Sequence, residues 1–114
     1  MKRIEMTEKE MLTNIFMSAI IDVEIMEGKG SLLGVASIRT LNGLFEINGW
    51  RISKSKFDES LWIQPPCFKE NKAEDKYHKA FWINDKDLES LIKTKVKSEY
   101  EHELLVKEYE KEGF

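Results

Sequence analysis

The sequence has little cysteine, proline or histidine: one, two and two residues, respectively, among 114. The single cysteine, Cys67, forms no internal disulfide, and no cluster of cysteines and histidines has the spacing of a structural zinc site. No apolar run approaches the ~18 residues of a membrane-spanning helix, and the first ten residues are too acidic for a signal peptide. These absences predict a cytoplasmic protein with no bound metal, no cofactor and no membrane association.

The composition indicates one packed domain. Hydrophobic residues make up 41% of the chain and charged residues 34%, which excludes the disordered and collagen-like classes. A net charge of -3 excludes a positive field over the whole molecule. Residues 39–81 are the exception, with 8 basic and 6 acidic side chains between two negative flanks. Only this middle segment favours contact with phosphates.

The N-terminal residues predict a short helix. Thr7 and Glu10 have the spacing of a capping box, and four apolar residues follow on one helical face. In a second interpretation, the segment Asn14 to Ser18 runs directly into the first strand. We divide the chain into an N-terminal extension (1–18), an α+β domain (19–103) and an acidic C-terminal tail (104–114).

Residues 19–83 predict strands. Apolar residues alternate from Ile21 to Ile25, and a second strand covers Leu32 to Thr40, where small residues would let a helix approach closely. Asn42-Gly43 predicts a type I′ hairpin turn, and a third strand follows with a bulge at Gly49. The fourth strand, Leu61–Gln64, ends at Pro65-Pro66, and we expect a fifth, Tyr77 to Ile83, to pair with it as a long-looped hairpin.

A long helix completes the predicted fold. Asn84 or Asp85 caps its start, and it continues to about Lys111. Apolar residues recur every four positions and predict the stripe that packs on the sheet; they are Leu88, Ile92, Val96, Tyr100 and Leu104. The predicted fold class is α+β, with a four- to five-stranded antiparallel sheet and a long C-terminal helix, dimeric through the sheet.

Several short segments, in this order and spacing, resemble a known family. They are Ile21-Asp22-Val23-Glu24-Ile25, Gly30, Ala36-Ser37-Ile38, Phe45 to Ile52, Leu61 to Pro66, His78 to Ile83 and Ser98-Glu99-Tyr100. Together they resemble the stage V sporulation protein G family, also called septation regulators. The resemblance covers about residues 20–103. The family commonly has Pro-Ser-Lys-Arg after its fourth strand, whereas this chain has Pro65-Pro66-Cys67-Phe68-Lys69, without the arginine.

The resemblance implies a small antiparallel sheet with a C-terminal helix, assembled as a homodimer in a bacterial cytoplasm. It further implies a non-enzymatic role linked to septation, sporulation and cell division. Several family members resemble regulators of transcription or RNA that bind DNA or RNA. The terminal segments of this chain lie outside the family pattern.

The basic residues of the middle segment are the candidate nucleic-acid ligands. Cations neutralise phosphates and aromatic rings stack on unpaired bases, so cations interleaved with aromatics suit single strands. An alternative interpretation is a solvated loop surface, because nearby acidic residues dilute the charge. The candidates are Arg51, Lys54, Lys56, Lys69, Lys72, Lys76 and Lys79.

Four aromatic residues are interpreted as core or dimer-interface residues, since aromatic side chains favour half-buried strands. They are Trp50, Trp62, Phe81 and Trp82.

No pattern of an enzyme is present: His78, His102 and Cys67 have no partner pattern that would activate them. Glu99, Glu101, His102 and Glu103 do not indicate a metal site, because near neighbours on a helix point apart. The alternative function is a protein-interaction module, such as one of a phage or mobile element, in which the methionine-rich start and the acidic tail contact a protein partner. Salt distinguishes the two functions, since phosphate binding weakens steeply with salt.

Overall fold

The structure, a computed structural model, describes residues 6–28, 30–55, 57–58, 60–69, 77–81 and 83–111, with backbone only at 68, 69 and 77–79. Two helices and six strands follow one another in these residues. In chain order they are α1 (Glu8–Met17), β1 (Ile20–Ile25), β2 (Leu32–Thr40), β3 (Phe45–Lys54), β4 (Leu61–Gln64), β5 (Cys67–Lys69), β6 (Tyr77–Lys79) and α2 (Lys86–Lys111).

The strands form two sheets. β1 to β4 build a four-stranded antiparallel sheet in the order β1-β2-β3-β4, and β5 pairs with β6 in a separate two-stranded sheet. Neighbours in the larger sheet are consecutive in sequence, as short connections favour. The predicted α+β class, with a four-stranded antiparallel sheet and a C-terminal helix, is confirmed.

One face of the four-stranded sheet carries the core. Alternate residues of each strand point to this face, and the strand residues with the lowest exposure, Ile38, Trp50 and Ile52, lie on it. The buried residues of α2 join them: Leu88, Ile92, Val96 and Tyr100. We call the opposite face of this sheet the open face. Its residues are exposed or half-buried, as at Asp22, Val35, Arg39, Arg51 and Trp62.

Helix α1 begins at its predicted cap. The Glu10 N–H donates to Thr7 Oγ1 at 3.1 Å, and the Thr7 hydroxyl donates to the Glu10 carboxylate at 2.9 Å, which satisfies one of the free N–H groups of the first turn. The helix continues to Met17, so the interpretation in which Asn14 to Ser18 extend the first strand is wrong. Phe16 lies in the core.

Helix α2 leaves the sheet after Tyr100. Asp85 caps its start, because the Leu88 N–H donates to Asp85 Oδ1 at 3.0 Å. The predicted apolar stripe is buried from Leu88 to Tyr100, but Leu104 is 37% exposed. The prediction that Leu104 packs on the sheet with the others is therefore wrong. The C-terminal half of α2 exposes a wide face to solvent.

The predicted hairpin between the fourth and fifth strands is wrong. β6 covers only Tyr77–Lys79 of the predicted Tyr77 to Ile83, and it pairs with β5, a strand that the prediction missed. Pro65 and Pro66 interrupt the ladder because they have no N–H to donate, yet the chain resumes as a strand directly after them. Pro66 still accepts a hydrogen bond from the Ala80 N–H at 2.9 Å.

The β2–β3 turn lies one residue earlier than predicted. The Gly43 N–H donates to Thr40 O at 3.2 Å, so Leu41 and Asn42 are the central residues, with φ of 54° and 56°. Asn tolerates positive φ, whereas a leucine there is strained. The predicted bulge at Gly49 is confirmed: Ala36 pairs with Trp50 but Ile38 pairs with Ile47, and Gly49 has a φ of 91°.

Replacing Leu41 with asparagine is expected to stabilise the protein by about 0.5–1 kcal/mol, because asparagine adopts positive φ at lower cost. The gain is smaller than the full strain, since half-exposed Leu41 loses some apolar contact. Thermal unfolding measures it as a Tm higher by about 4 °C. Leu44→Asn, at an 88% exposed position in the same turn, is the matched control and is expected to leave Tm unchanged. A lower Tm for Leu41→Asn would show that the apolar contacts outweigh the strain.

Candidate nucleic-acid interface

Arg51 and Trp62 lie next to each other on the open face. Arg51 pairs with Gln64 and Ser53 pairs with Trp62, so Arg51 and Trp62 occupy diagonal positions on adjacent strands. Long side chains contact each other across such a diagonal. Trp62 is 50% exposed, and Ser53 between them is small. The register therefore puts Arg51 and an accessible aromatic residue at neighbouring positions of the open face.

The two arginines of the open face differ in their surroundings. Arg39 Nε donates to Asp22 Oδ2 at 2.8 Å, which neutralises its charge. Arg51 has no ion pair within the described part of the chain. The acidic residue in register with Arg51 across the sheet is Glu24, which lies two strands away. The two backbones are about 10 Å apart at ordinary strand spacing. Among the described residues, Arg51 is therefore the open-face arginine whose charge is not neutralised by an ion pair.

The remaining predicted cations lie around this part of the sheet. Lys54 is exposed and ends β3, where strand alternation places it on the side of Ile52 and not on the open face. By register, Lys69 of β5 pairs with Tyr77, and Lys79 of β6 pairs with Cys67, so both lysines belong to the small sheet that follows β4. Lys56, Lys72, Lys76 and Trp82 lie outside the described residues.

The predicted aromatic residues have different environments. Trp50 is fully buried, and its ring centroid lies 5.8 Å from that of half-buried Phe81 in an edge-on contact. These two are core residues. Trp62 was predicted to be either a core residue or a dimer-interface residue. It is half-exposed and not in the core, so only the dimer-interface role agrees with its exposure.

A groove of about 760 Å³ lies between β4 and the first half of α2. Apolar residues line one side, including Trp62, Phe81 and Ile83, and three lysines of α2 line the other: Lys86, Lys93 and Lys97. Sequence reasoning missed these lysines because each resembles an ordinary solvated helix residue. Their spacings of seven and four residues are the signal that could have grouped them on one face.

The start of α2 is fixed by two groups. The Leu88 N–H, followed by the Lys9 ammonium, holds the pKa of Asp85 below its usual value. Lys9 Nζ lies 3.0 Å from Asp85 Oδ2 and 3.1 Å from Asp87 Oδ2. Farther along, Lys95 Nζ donates to the carbonyl oxygens of Met17 and Ala19, and its burial lowers its pKa. These contacts join α1 to α2 and hold the groove lysines in place.

Three side chains near the end of α2 converge. Atoms of Glu99, His102 and Glu103 that could bind a metal lie within 4.8 Å of one another, because spacings of three and four residues share a helix face. The expectation that these neighbours point apart is wrong for this triple. All three are exposed or half-buried on one helix, an arrangement that a solvated acidic surface explains equally well.

The comparisons with known proteins identify no relative. In the described residues, neither helix has an apolar stretch that could cross a bilayer. No protein-family model matches the sequence, and no curated protein or solved structure is significantly similar to it.

Proposed function

We propose that the protein is a non-enzymatic, septation-regulator-like regulatory protein that binds DNA or RNA as a homodimer. Arg51 beside half-exposed Trp62 on the open face is the observation that carries the proposal. An unpaired base stacks on an accessible indole, and a guanidinium next to it neutralises the neighbouring phosphate. Lys54, at the end of β3, and the loop lysines are further candidate phosphate contacts.

The proposed dimer forms through the sheet. β1 and β4 are the edge strands of the four-stranded sheet, and an edge strand offers unpaired backbone groups to a second chain. Pairing through β1 would leave half-exposed Trp62, on β4, accessible to a base. Light scattering measures the mass, and we expect about twice the 13.4 kDa of one chain.

The test of nucleic-acid binding is fluorescence anisotropy with labelled single- and double-stranded DNA and RNA pools across a salt series. Binding is expected to weaken log-linearly with salt. In Arg51→Gln, we expect affinity to fall about tenfold, and the salt slope to decrease by about 1, as for one lost phosphate contact.

Arg39→Gln is the matched control, because Asp22 already neutralises this arginine on the same face. We expect its affinity to stay close to that of the unchanged protein. The absence of salt-sensitive binding to every pool, by a folded protein, would contradict the proposal. An equal loss in Arg39→Gln and Arg51→Gln would show that the surface around Arg51 is not the binding surface.

A protein-interaction module is the second candidate function. Large apolar side chains are exposed at the end of the sheet near the β2–β3 turn, a composition that favours protein contacts; they are Ile20, Leu41, Leu44 and Phe45. A partner captured equally well at low and high salt supports this function over nucleic-acid binding.

A further inference from the structure

One face of α2 runs from the groove to the end of the helix. Lys86, Ser90, Lys93 and Lys97 line the groove, and steps of three and four residues keep them on one face. The same steps continue to Glu101, Leu104 and Glu108, beyond the sheet. We call these seven residues the groove stripe.

The groove stripe is accessible along its length. All of its residues are exposed except Lys93, which is half-buried and pairs with Glu89 of its own helix at 2.6 Å. The burial of α2 against the core ends at Tyr100, so Leu104 extends the stripe where no strand lies below. Leu104 is a large apolar residue without a place in the core.

The charges of the groove stripe are divided between its halves. The three lysines lie in the N-terminal half, and both glutamates lie in the C-terminal half. A second helix of the same sequence, aligned antiparallel, brings the lysine half of each helix opposite the glutamate half of the other, whereas parallel alignment brings like charges together. The helix is continuous over its 26 residues, so its own acidic end cannot fold back onto its lysines. The complementary surface therefore belongs to another copy.

We propose that α2 pairs antiparallel with α2 of a second copy along the groove stripe. The pairing is centred between Lys97 and Glu101, so that Lys97 faces Glu101 of the second copy and Ser90 faces its Glu108. The contact is isologous, as expected of a two-fold assembly. It covers about 27 Å of helix from Ser90 to Glu108, and it seats each Leu104 against the N-terminal half of the other helix.

Disulfide cross-linking between two variants tests this contact directly. Ser90→Cys and Glu108→Cys are prepared separately in a Cys67→Ser background, mixed and oxidised mildly. The mixture is expected to give a linked dimer, and each variant alone is expected to give none, because Ser90 and Glu108 lie about 27 Å apart along the helix. Ser90→Cys mixed with Glu46→Cys, on the open face, is the negative control.

A charge exchange gives the second readout. Lys97→Glu places two acids opposite each other and is expected to reduce the Ser90–Glu108 cross-link to the level of the control. Adding Glu101→Lys to the same chain restores opposite charges and is expected to restore the cross-link.

Two results would overturn the inference: linked dimers from either cysteine variant alone, or no link in the mixture. A protein that is dimeric by light scattering yet gives no link also contradicts helix pairing, while it leaves the proposed sheet contact intact. Neither readout depends on nucleic-acid binding.

Discussion

Replacing Trp50 with alanine is expected to lower the free energy of unfolding by about 3–5 kcal/mol. Trp50 is fully buried at the centre of the sheet and is among the largest buried side chains in the core. Its removal leaves a cavity that the paired backbones of β2 and β3 cannot close. Since small domains have only about 5–15 kcal/mol in total, the variant loses a large share of its stability. Urea denaturation followed by circular dichroism measures the loss.

Trp50→Phe is the control that separates the loss of aromatic packing from the loss of the indole N–H. Phenylalanine keeps an aromatic ring against Phe81 and removes the indole N–H, which has no hydrogen-bond partner among the described residues. A buried donor without a partner costs free energy, so its removal offsets part of the lost volume. We expect less than half of the loss seen with alanine. A loss below about 1 kcal/mol for Trp50→Ala, as at surface positions, would contradict the core role.

The burial of Trp50 also orients the candidate interface. Successive strand residues point to opposite faces, so inward Trp50 requires that Arg51 points outward. The bulge before Trp50 matters for the same reason, because one extra residue reverses the alternation of everything that precedes it. Gly49 therefore contributes to the position of the Arg51 guanidinium without touching any ligand.

Local patterns predicted most of the fold. Both helix starts were predictable because Thr7 and Asp85 act on N–H groups within three residues. β1, β2 and β4 followed from alternation and from the prolines after β4. The bulge at Gly49 was predictable because few residues other than glycine adopt its φ.

The errors came from features that depend on distant partners. β5 is three residues long, and only pairing with β6 defines it as a strand. The β2–β3 turn places Leu41 at positive φ although Asn42-Gly43 follows directly. Leu104 continues the helical period past the end of the sheet, and no local signal marks that end.

The candidate interface was less predictable than the fold. Arg51 was identifiable from charge, but its position beside Trp62 depends on the register of β3 and β4, which the sequence pattern left open. The same holds for the distinction between Arg51 and Arg39. The two residues have identical chemistry in sequence, and only the cross-strand contact with Asp22 separates them.

Gly34 lies where α2 packs against the sheet. The small residues of β2 predict this approach, and the Tyr100 ring of α2 lies against the glycine: a Cβ added there would be 3.6 Å from Tyr100 Cδ2. It would also be 3.0 Å from the backbone carbonyl oxygen of Glu24 and 3.5 Å from Ile52 Cδ1. The carbonyl belongs to the β1–β2 pair, so it cannot move without disturbing the ladder.

Gly34→Ala is therefore expected to destabilise the protein by about 1–3 kcal/mol, the usual cost of overpacking. The sign of the stability change is informative. Gly34 is not among the positive-φ glycines, and alanine at an unstrained, uncrowded glycine position would stabilise a protein by about 0.4–1 kcal/mol. Gly34→Val should cost more, since its additional methyl groups reach toward Tyr100 and Ile52. Tyr100→Leu should not rescue Gly34→Ala, because the tightest contact is with backbone. A Gly34→Ala variant that is more stable in urea denaturation would show that β1 and α2 move apart at low cost.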